Sequence, residues 1–256
     1  MDGDDTRKRS VKTAETVFDI VELLADADSA SLTTIADHLD MPRSTLHPYL
    51  TTLVDREYLR KDGDEYLLSF KFLDHGVAAQ QNELVYEVSA PFLEQVAEET
   101  KEIVWLVVEE HGRAVCLRKA EGEHAIQPYK RIGLRMTMHD IASGKAILAE
   151  LPDERVREIV DHHGLPARTD RTITDVDELI AELEEIRETG VAFNDGESME
   201  GFRAVASPIC PSGTLYGSLV VSGPKNRISG ERFTEDLPDI VSGTTNALEL
   251  ELTSRM

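Results

Sequence analysis

Residues 31–61 read SLTTIADHLDMPRSTLHPYLTTLVDREYLRK, and their order of signals decides the fold of the N-terminal part of the chain. Ser31 suits an N-cap, and Leu32, Ile35 and Leu39 then recur at helical spacing. Asp40 and Met41 make a turn, and Pro42 fits the first positions of the next helix, where its missing N–H costs nothing. From 43 to about 57, Leu46, Leu50, Leu53 and Val54 mark one apolar face. Tyr58-Leu59-Arg60-Lys61, Asp62-Gly63-Asp64 and Glu65-Tyr66-Leu67-Leu68 follow as a strand, a tight turn and a strand. Helix, turn, helix and hairpin in that order make a winged helix-turn-helix, a shape that lays its second helix in the DNA major groove.

The apolar face of the second helix leaves Arg43, Ser44, His47 and Thr51 near the opposite side, with Thr45 beside them as either a base reader or a packing residue. Arg grips guanine in a bidentate way, and Ser and Thr bond several bases or a phosphate. Arg56, Arg60 and Lys61 put positive charge on the wing side, where phosphates would lie. A basic cluster of Arg7, Lys8, Arg9 and Lys12 precedes a helix near 12–26 whose Val17, Ile20, Val21 and Leu24 share a face. Two readings of residues 1–9 stand side by side, an arm along the DNA and a solubilising tail.

Taken together, VKTAETVFDIVELL (11–24), LTTIADHL (32–39), the turn ending in Pro42, the Ser/Thr-rich second helix and the Tyr58/Tyr66 wing resemble the DNA-binding domain of IclR-type transcriptional regulators. One departure is His47-Pro48, where that family usually carries Arg after the His. A proline inside a helix removes a backbone bond, at about 3 kcal/mol in a helix interior, and here a cation is also lost from the DNA face.

After a linker helix assigned to 71–88, residues 89–256 alternate helices and strands, with a hairpin over 103–118 turning at Glu110–Arg113. Helices against an antiparallel sheet make an α+β domain. The resemblance implies a GAF-like α/β effector-binding domain here and a winged helix-turn-helix over 10–70. Three stretches carry it, MTMHDIASGKAILAELP (136–152), VAFNDGESMEGFRAVASPI (191–209) and SLVVSGP (218–224). In similar regulators these loops surround a small carboxylate-bearing effector. The chemistry agrees, because Ala142-Ser143-Gly144 opens a helix whose free N–H groups favour an anion. Ser222 offers a hydroxyl, Asn194 a hydrogen bond, Met138, Ala204 and Val220 apolar walls, and His139 either lines the pocket or packs in the core. Asn194 and Val220 stand where some relatives carry an acid and a polar residue, so the pocket should differ from those built for the smallest keto acids.

No motif implies catalysis, a metal or a cofactor. Ser143-Gly144-Lys145 lacks the glycine spacing of a P-loop, and Lys145 reads as a structural bond near the helix start. Ser222-Gly223-Pro224-Lys225 ends a strand without the companion motifs of a serine acylase. His162 and His163 are neighbours pointing to different faces at a helix end. The carboxylates of 174–189 read as a solvated face. Cys116 and Cys210 read as reduced.

The chain has 256 residues, 41% hydrophobic, with a formal net charge of −22 and 18 Arg against 9 Lys. That acidity points to a salt-loving cell, where at 1 M salt charges are screened within ~3 Å. With no signal peptide at residue 1 and no apolar run of membrane-spanning length, a cytoplasmic protein is expected. The expected partners are a double-stranded DNA operator and a small organic acid, with the chain as a homodimer or homotetramer. Two other classes remain open: a sensor module whose degenerate helix-turn-helix only dimerises, and an enzyme on the α+β domain.

Overall fold

A computed structural model describes residues 11–126 and 131–255, and these form two compact units that divide between Ala79 and Gln80. Arg7, Lys8 and Arg9 lie outside the described residues. In the first unit, α1 (Lys12–Ala27), β1 (Ala30–Ser31), α2 (Leu32–His38), α3 (Arg43–Asp55), β2 (Leu59–Asp62) and β3 (Glu65–Leu68) lead into α4 (Lys71–Gln81). Ser31 caps α2 as its sequence predicts, its hydroxyl accepting from the Thr34 N–H at 3.2 Å. Pro42 is the residue before α3, extended at ψ 135°, rather than its first helical residue. The small sheet runs β1-β3-β2, all antiparallel, with Asp62 paired to Glu65. The two loop positions are therefore Gly63 and Asp64, and Gly63 supplies the positive φ of 59°. Ile20, Leu24, Ile35, Leu46, Leu50 and Tyr66 close over one another as the core.

The second unit is a three-layer sandwich. Its elements are α5 (Leu84–Thr100), β4 (Ile103–Glu110), β5 (Arg113–Glu121), β6 (Arg135–Met136), α6 (Ala142–Ala149), α7 (Asp153–His163), α8 (Val176–Thr189), β7 (Ala192–Asp195), β8 (Phe202–Ile209), β9 (Gly217–Pro224) and α9 (Leu237–Arg255). The six strands run β6-β5-β4-β9-β8-β7, every neighbour antiparallel. Alternation along β4 explains its unbroken apolar run. Ile103, Trp105 and Val107 pack with α6 and α8 on one face, and Val104 and Leu106 pack with α5 and α9 on the other. A strand covered on both faces has no polar side to show.

The linker assignment to 71–88 is corrected: α4 stops at Gln81, and a new helix starts at Leu84. Val85 and Val88 are already buried with Leu93 and Val96, so the helix that packs on the sheet begins where its apolar face begins. The strands β6 and β7 were not foreseen, and the last helix starts at Leu237, after a π-helical turn over Arg232–Asp236. No helix among the described residues is long and apolar enough to cross a membrane.

Candidate nucleic-acid interface and effector cavity

On α3, Leu46, Leu50 and Leu53 are buried, and Arg43, Ser44, Thr45, His47 and Thr51 are all exposed. Arg43, His47 and Thr51 stand four apart, so they form one row along the helix. The His47 ring lies 3.4 Å from the Thr51 hydroxyl, which ties two members of the row together. Ser44 begins the adjacent row, with Pro48, Thr52 and Arg56. Thr52 donates to the Pro48 carbonyl at 2.8 Å, and Pro48, Thr52 and Arg56 border a shallow apolar groove against Thr13 and Val17 of α1. Arg56 is thus set apart from the Arg43 row. Arg60 and Lys61 are exposed on β2, the first strand of the wing.

The second unit holds a cavity of about 440 Å³ on the α6 side of its sheet. Of the residues singled out from sequence, Ala142, Ser143, Asn194, Ala204, Val220 and Ser222 line it. Met138 and His139 do not. Met138 is buried in the core, where its backbone packs on Gly144. His139 is turned inward, its Nε2 donating to the Pro166 carbonyl at 3.2 Å, and burial lowers its pKa despite the neighbouring Asp140. Sequence reasoning missed Trp105, Arg113, Arg135, Met136, Asp140, Arg168, Phe202 and Arg203, which also line the cavity.

Asn194 has a defined task. Its amide donates to the Asp140 carbonyl at 2.6 Å and accepts from the N–H groups of Gly196 and Glu197 at 3.1 and 3.3 Å. One side chain therefore joins the turn ahead of α6 to the loop after β7. The same loop is gripped from below by Lys145, fully buried, whose ammonium meets Glu182 at 2.5 Å and Glu197 at 2.6 Å. This is the structural bond that the sequence suggested for Lys145. Burial pushes the Glu197 carboxyl above its ordinary pKa, with the Lys145 charge pulling the other way.

Gly144 allows α6 to sit this close. A Cβ there would lie 2.2 Å from the Met138 carbonyl oxygen and 2.4 Å from its Cα. Backbone cannot yield as a flexible side chain does, so Gly144→Ala is expected to reach or exceed the ~1–3 kcal/mol of core overpacking. Urea unfolding would record this as a lower midpoint, and an unchanged midpoint would refute the close packing.

Asp195 is bound by Arg203 at 2.6 Å, Lys225 at 2.9 Å and Arg171 at 3.0 Å. The hydrogen bond from Arg203, then that from Lys225, hold its carboxyl far below the usual range. The charged form therefore stabilises the fold fully above the unfolded aspartate pKa of ~3.9. That contribution fades as pH falls toward the depressed folded value. Asp195→Asn should lower stability at pH 7 and flatten its decline below about pH 4, measured as urea midpoints across that range.

No disulfide joins Cys116 and Cys210 among the described residues, and burial raises the Cys210 thiol to about 11. Among those residues no cluster of three His, Cys, Asp or Glu could hold a metal ion.

Comparison with known proteins places this geometry. Residues 13–63 match the family model "IclR helix-turn-helix domain", and residues 77–249 match "Bacterial transcriptional regulator IclR C-terminal". The chain is 27% identical to the "Probable HTH-type transcriptional regulator ArcR" of Halobacterium salinarum over 95% of both chains. It is 28% identical to the "Transcriptional repressor IclR" of Escherichia coli K12, over 84% of this chain and 81% of that one. An IclR homologue from Microbacterium hydrocarbonoxydans, crystallised with 4-hydroxybenzoate, superposes with a TM-score of 0.80 at 21% identity, covering 94% of this chain and 99% of its own. With one family model spanning most of the second unit and another the helix-turn-helix, the chain belongs to the IclR family of DNA-binding transcriptional regulators.

Proposed function

We propose that the Arg43, His47 and Thr51 row of α3, with Ser44 and Thr45 at its N-terminal end, reads base edges while Arg60 and Lys61 meet phosphates. In the same reading a small carboxylate-bearing metabolite in the cavity shifts operator affinity. Two distinct sites whose ligands alter each other's affinity define allostery. The observation that carries the effector half is the charge of the cavity. In a chain with 49 acidic and 27 basic residues, its lining holds four arginines and one aspartate. The 4-hydroxybenzoate held by the Microbacterium homologue supports an organic acid as the ligand class.

The protein acts as a dimer in this reading, with a tetramer as the larger assembly. Phe70, in the turn just before α4, and Leu73 and Val77, one turn apart on it, support it with exposures of 84, 64 and 38%. An apolar stripe of this kind marks an association surface.

The test is operator binding by fluorescence anisotropy, on the duplex upstream of its own gene, with and without a panel of two- to eight-carbon organic acids. At least one acid should change the affinity by 5-fold or more, on the order of ordinary allosteric coupling. Ala204→Trp, which fills the cavity, should abolish the change. An acid effect that survives this substitution places the ligand elsewhere.

A further inference from the structure

The polar groups that line the cavity differ in how much hydrogen-bonding capacity they have left. Asn194, Ala204 and Ser222 stand opposite one another on β7, β8 and β9 and form a row across the sheet face that floors it. Asn194 has nothing left for a ligand. Its N–H groups go to the Asp140 carbonyl at 2.6 Å and the Ser198 hydroxyl at 3.4 Å, and its oxygen accepts from the N–H groups of Gly196 and Glu197. A side-chain amide has two donors and two lone pairs, so all of its capacity is used.

Asp140, held over Asn194 at the end of that row, is different. It lines the cavity, and its side chain is 7% exposed. Its Oδ1 accepts from the Thr137 hydroxyl at 2.7 Å. Arg168 stands 3.8 Å from Oδ2, close enough to balance the charge and too far for a hydrogen bond. The His139 ring is 3.9 Å from Oδ1 and gives it no proton. Burial lowers the His139 pKa, so the ring is neutral at pH 7, and its Nε2 proton goes to the Pro166 carbonyl. A carboxylate offers about four acceptor positions, and among the described residues Asp140 fills one. Burying a charge is costly unless hydrogen bonds replace its water. Spare acceptor capacity on a buried carboxylate that lines a cavity calls for a donor from outside the chain.

Position and charge say which donor. Asp140 lies two residues before Ala142, the first residue of α6. The first bond within that helix runs from the Lys145 N–H to the Ile141 carbonyl, so the N–H groups ahead of it have no partner in the helix. A ligand carboxylate at those N–H groups would lie beside Asp140, and the two like charges would repel. A hydroxyl close to the ligand's carboxylate turns that repulsion into a hydrogen bond. An ammonium would meet Arg168, which already supplies the balancing cation.

We propose that the cavity takes a hydroxy acid, its hydroxyl donating to Asp140 while its carboxylate lies at the start of α6. Asp140 thereby selects hydroxy acids over plain acids of the same skeleton. The inference rests on the reading of the cavity as an organic-acid site and adds the second group by which the acid is chosen. A site built to bond a hydroxyl rejects the analogue that lacks it, because the buried acceptor is then left unanswered.

The test is isothermal titration calorimetry of the full chain with lactate and propionate, with 2- and 3-hydroxybutyrate and butyrate, and with mandelate and phenylacetate. Within each set the skeleton is the same and only the hydroxyl differs. Wild type should bind at least one hydroxy acid about tenfold or more tightly than its plain counterpart, as a hydrogen bond to a charged group implies. Asp140→Ala should move the two in opposite directions, weakening the hydroxy acid by loss of the bond and strengthening the plain acid by loss of the repulsion. Asp140→Asn keeps the shape and an acceptor for Thr137, and should do the same to a smaller degree. Urea midpoints establish that each variant is folded. Equal affinity of hydroxy and plain acids for wild type overturns the hydroxyl assignment and leaves the organic-acid reading standing. So does a loss of both together in the folded variants, which would make Asp140 a purely structural residue. Alanine or 2-aminobutyrate binding more tightly than lactate or 2-hydroxybutyrate overturns it too, in favour of an ammonium. Binding of none of these acids overturns the proposal as well. Failure also of benzoate and pyruvate on the same folded protein removes the organic-acid reading with it.

Discussion

Lys145→Met should destabilise the second unit by about 3–5 kcal/mol, the cost of breaking a buried ion pair by removing one partner. Lys145 is wholly buried, and both carboxylates it serves remain when it is gone, with Glu197 only 12% exposed at its side chain. Two acids would then face each other without a cation. Burial already raises the Glu197 pKa against the pull of Lys145, and without that pull it rises further. An acid whose folded pKa is raised holds its proton more tightly when folded. Stability of the variant should therefore fall as pH climbs from the ordinary glutamate value of ~4.3 through the raised value. Urea unfolding from pH 4 to 8 measures this directly. The double variant Lys145→Met with Glu197→Gln should recover part of the loss, because it removes the charge that cannot be answered. A single variant as stable as wild type at pH 8 would mean that the triad contributes nothing net.

Pro48→Arg should act on both stability and DNA affinity. Pro48 is the sixth residue of α3, past the first turn where proline is tolerated, so a bond to the Ser44 carbonyl is absent. Restoring an N–H and a good helix former should gain up to ~3 kcal/mol. The gain is reduced because arginine frees the unfolded chain that proline restricts. The substitution also returns a cation next to His47. If that cation meets a phosphate, the slope of log affinity against log salt should steepen by roughly 0.9. Denaturation midpoints and a salt series on the same operator separate the two effects. A fall in stability would show that the α1 groove lined by Pro48 matters more than the missing bond.

Much of the fold was legible because periodicity survives without tertiary context. The apolar rows of α2 and α3 and the Gly63 turn fix the winged helix-turn-helix from local signals alone. The strands β6 and β7 escaped because two and four residues carry too little period to register. The break between α4 and α5 escaped because Gln80-Gln81-Asn82-Glu83 carries no Gly or Pro to mark a stop, and only packing shows that Leu73 is exposed and Val85 buried. In the cavity, small and polar residues at helix and strand starts could be placed from their motifs. Met138 and His139 could not, since their inward turn depends on how closely α6 approaches at Gly144. The cavity arginines were illegible for a related reason. Arg113 follows a tight turn and Arg168 lies between α7 and α8, and what each faces is set by sheet register and loop path, to which sequence spacing is blind.

The most direct test of the account is an anisotropy titration of the full chain on the duplex upstream of its own gene, against a scrambled duplex, from 0.1 to 2 M potassium chloride. With few cations on α3 and the wing, the salt slope should be shallower than that of a basic repressor, and specific binding should persist at high salt. Arg43→Ala should cost about 1–3 kcal/mol on the specific duplex and little on the scrambled one. Equal affinity for both duplexes at every salt concentration, or no effect of Arg43→Ala, would contradict the assignment of α3 as the reading helix.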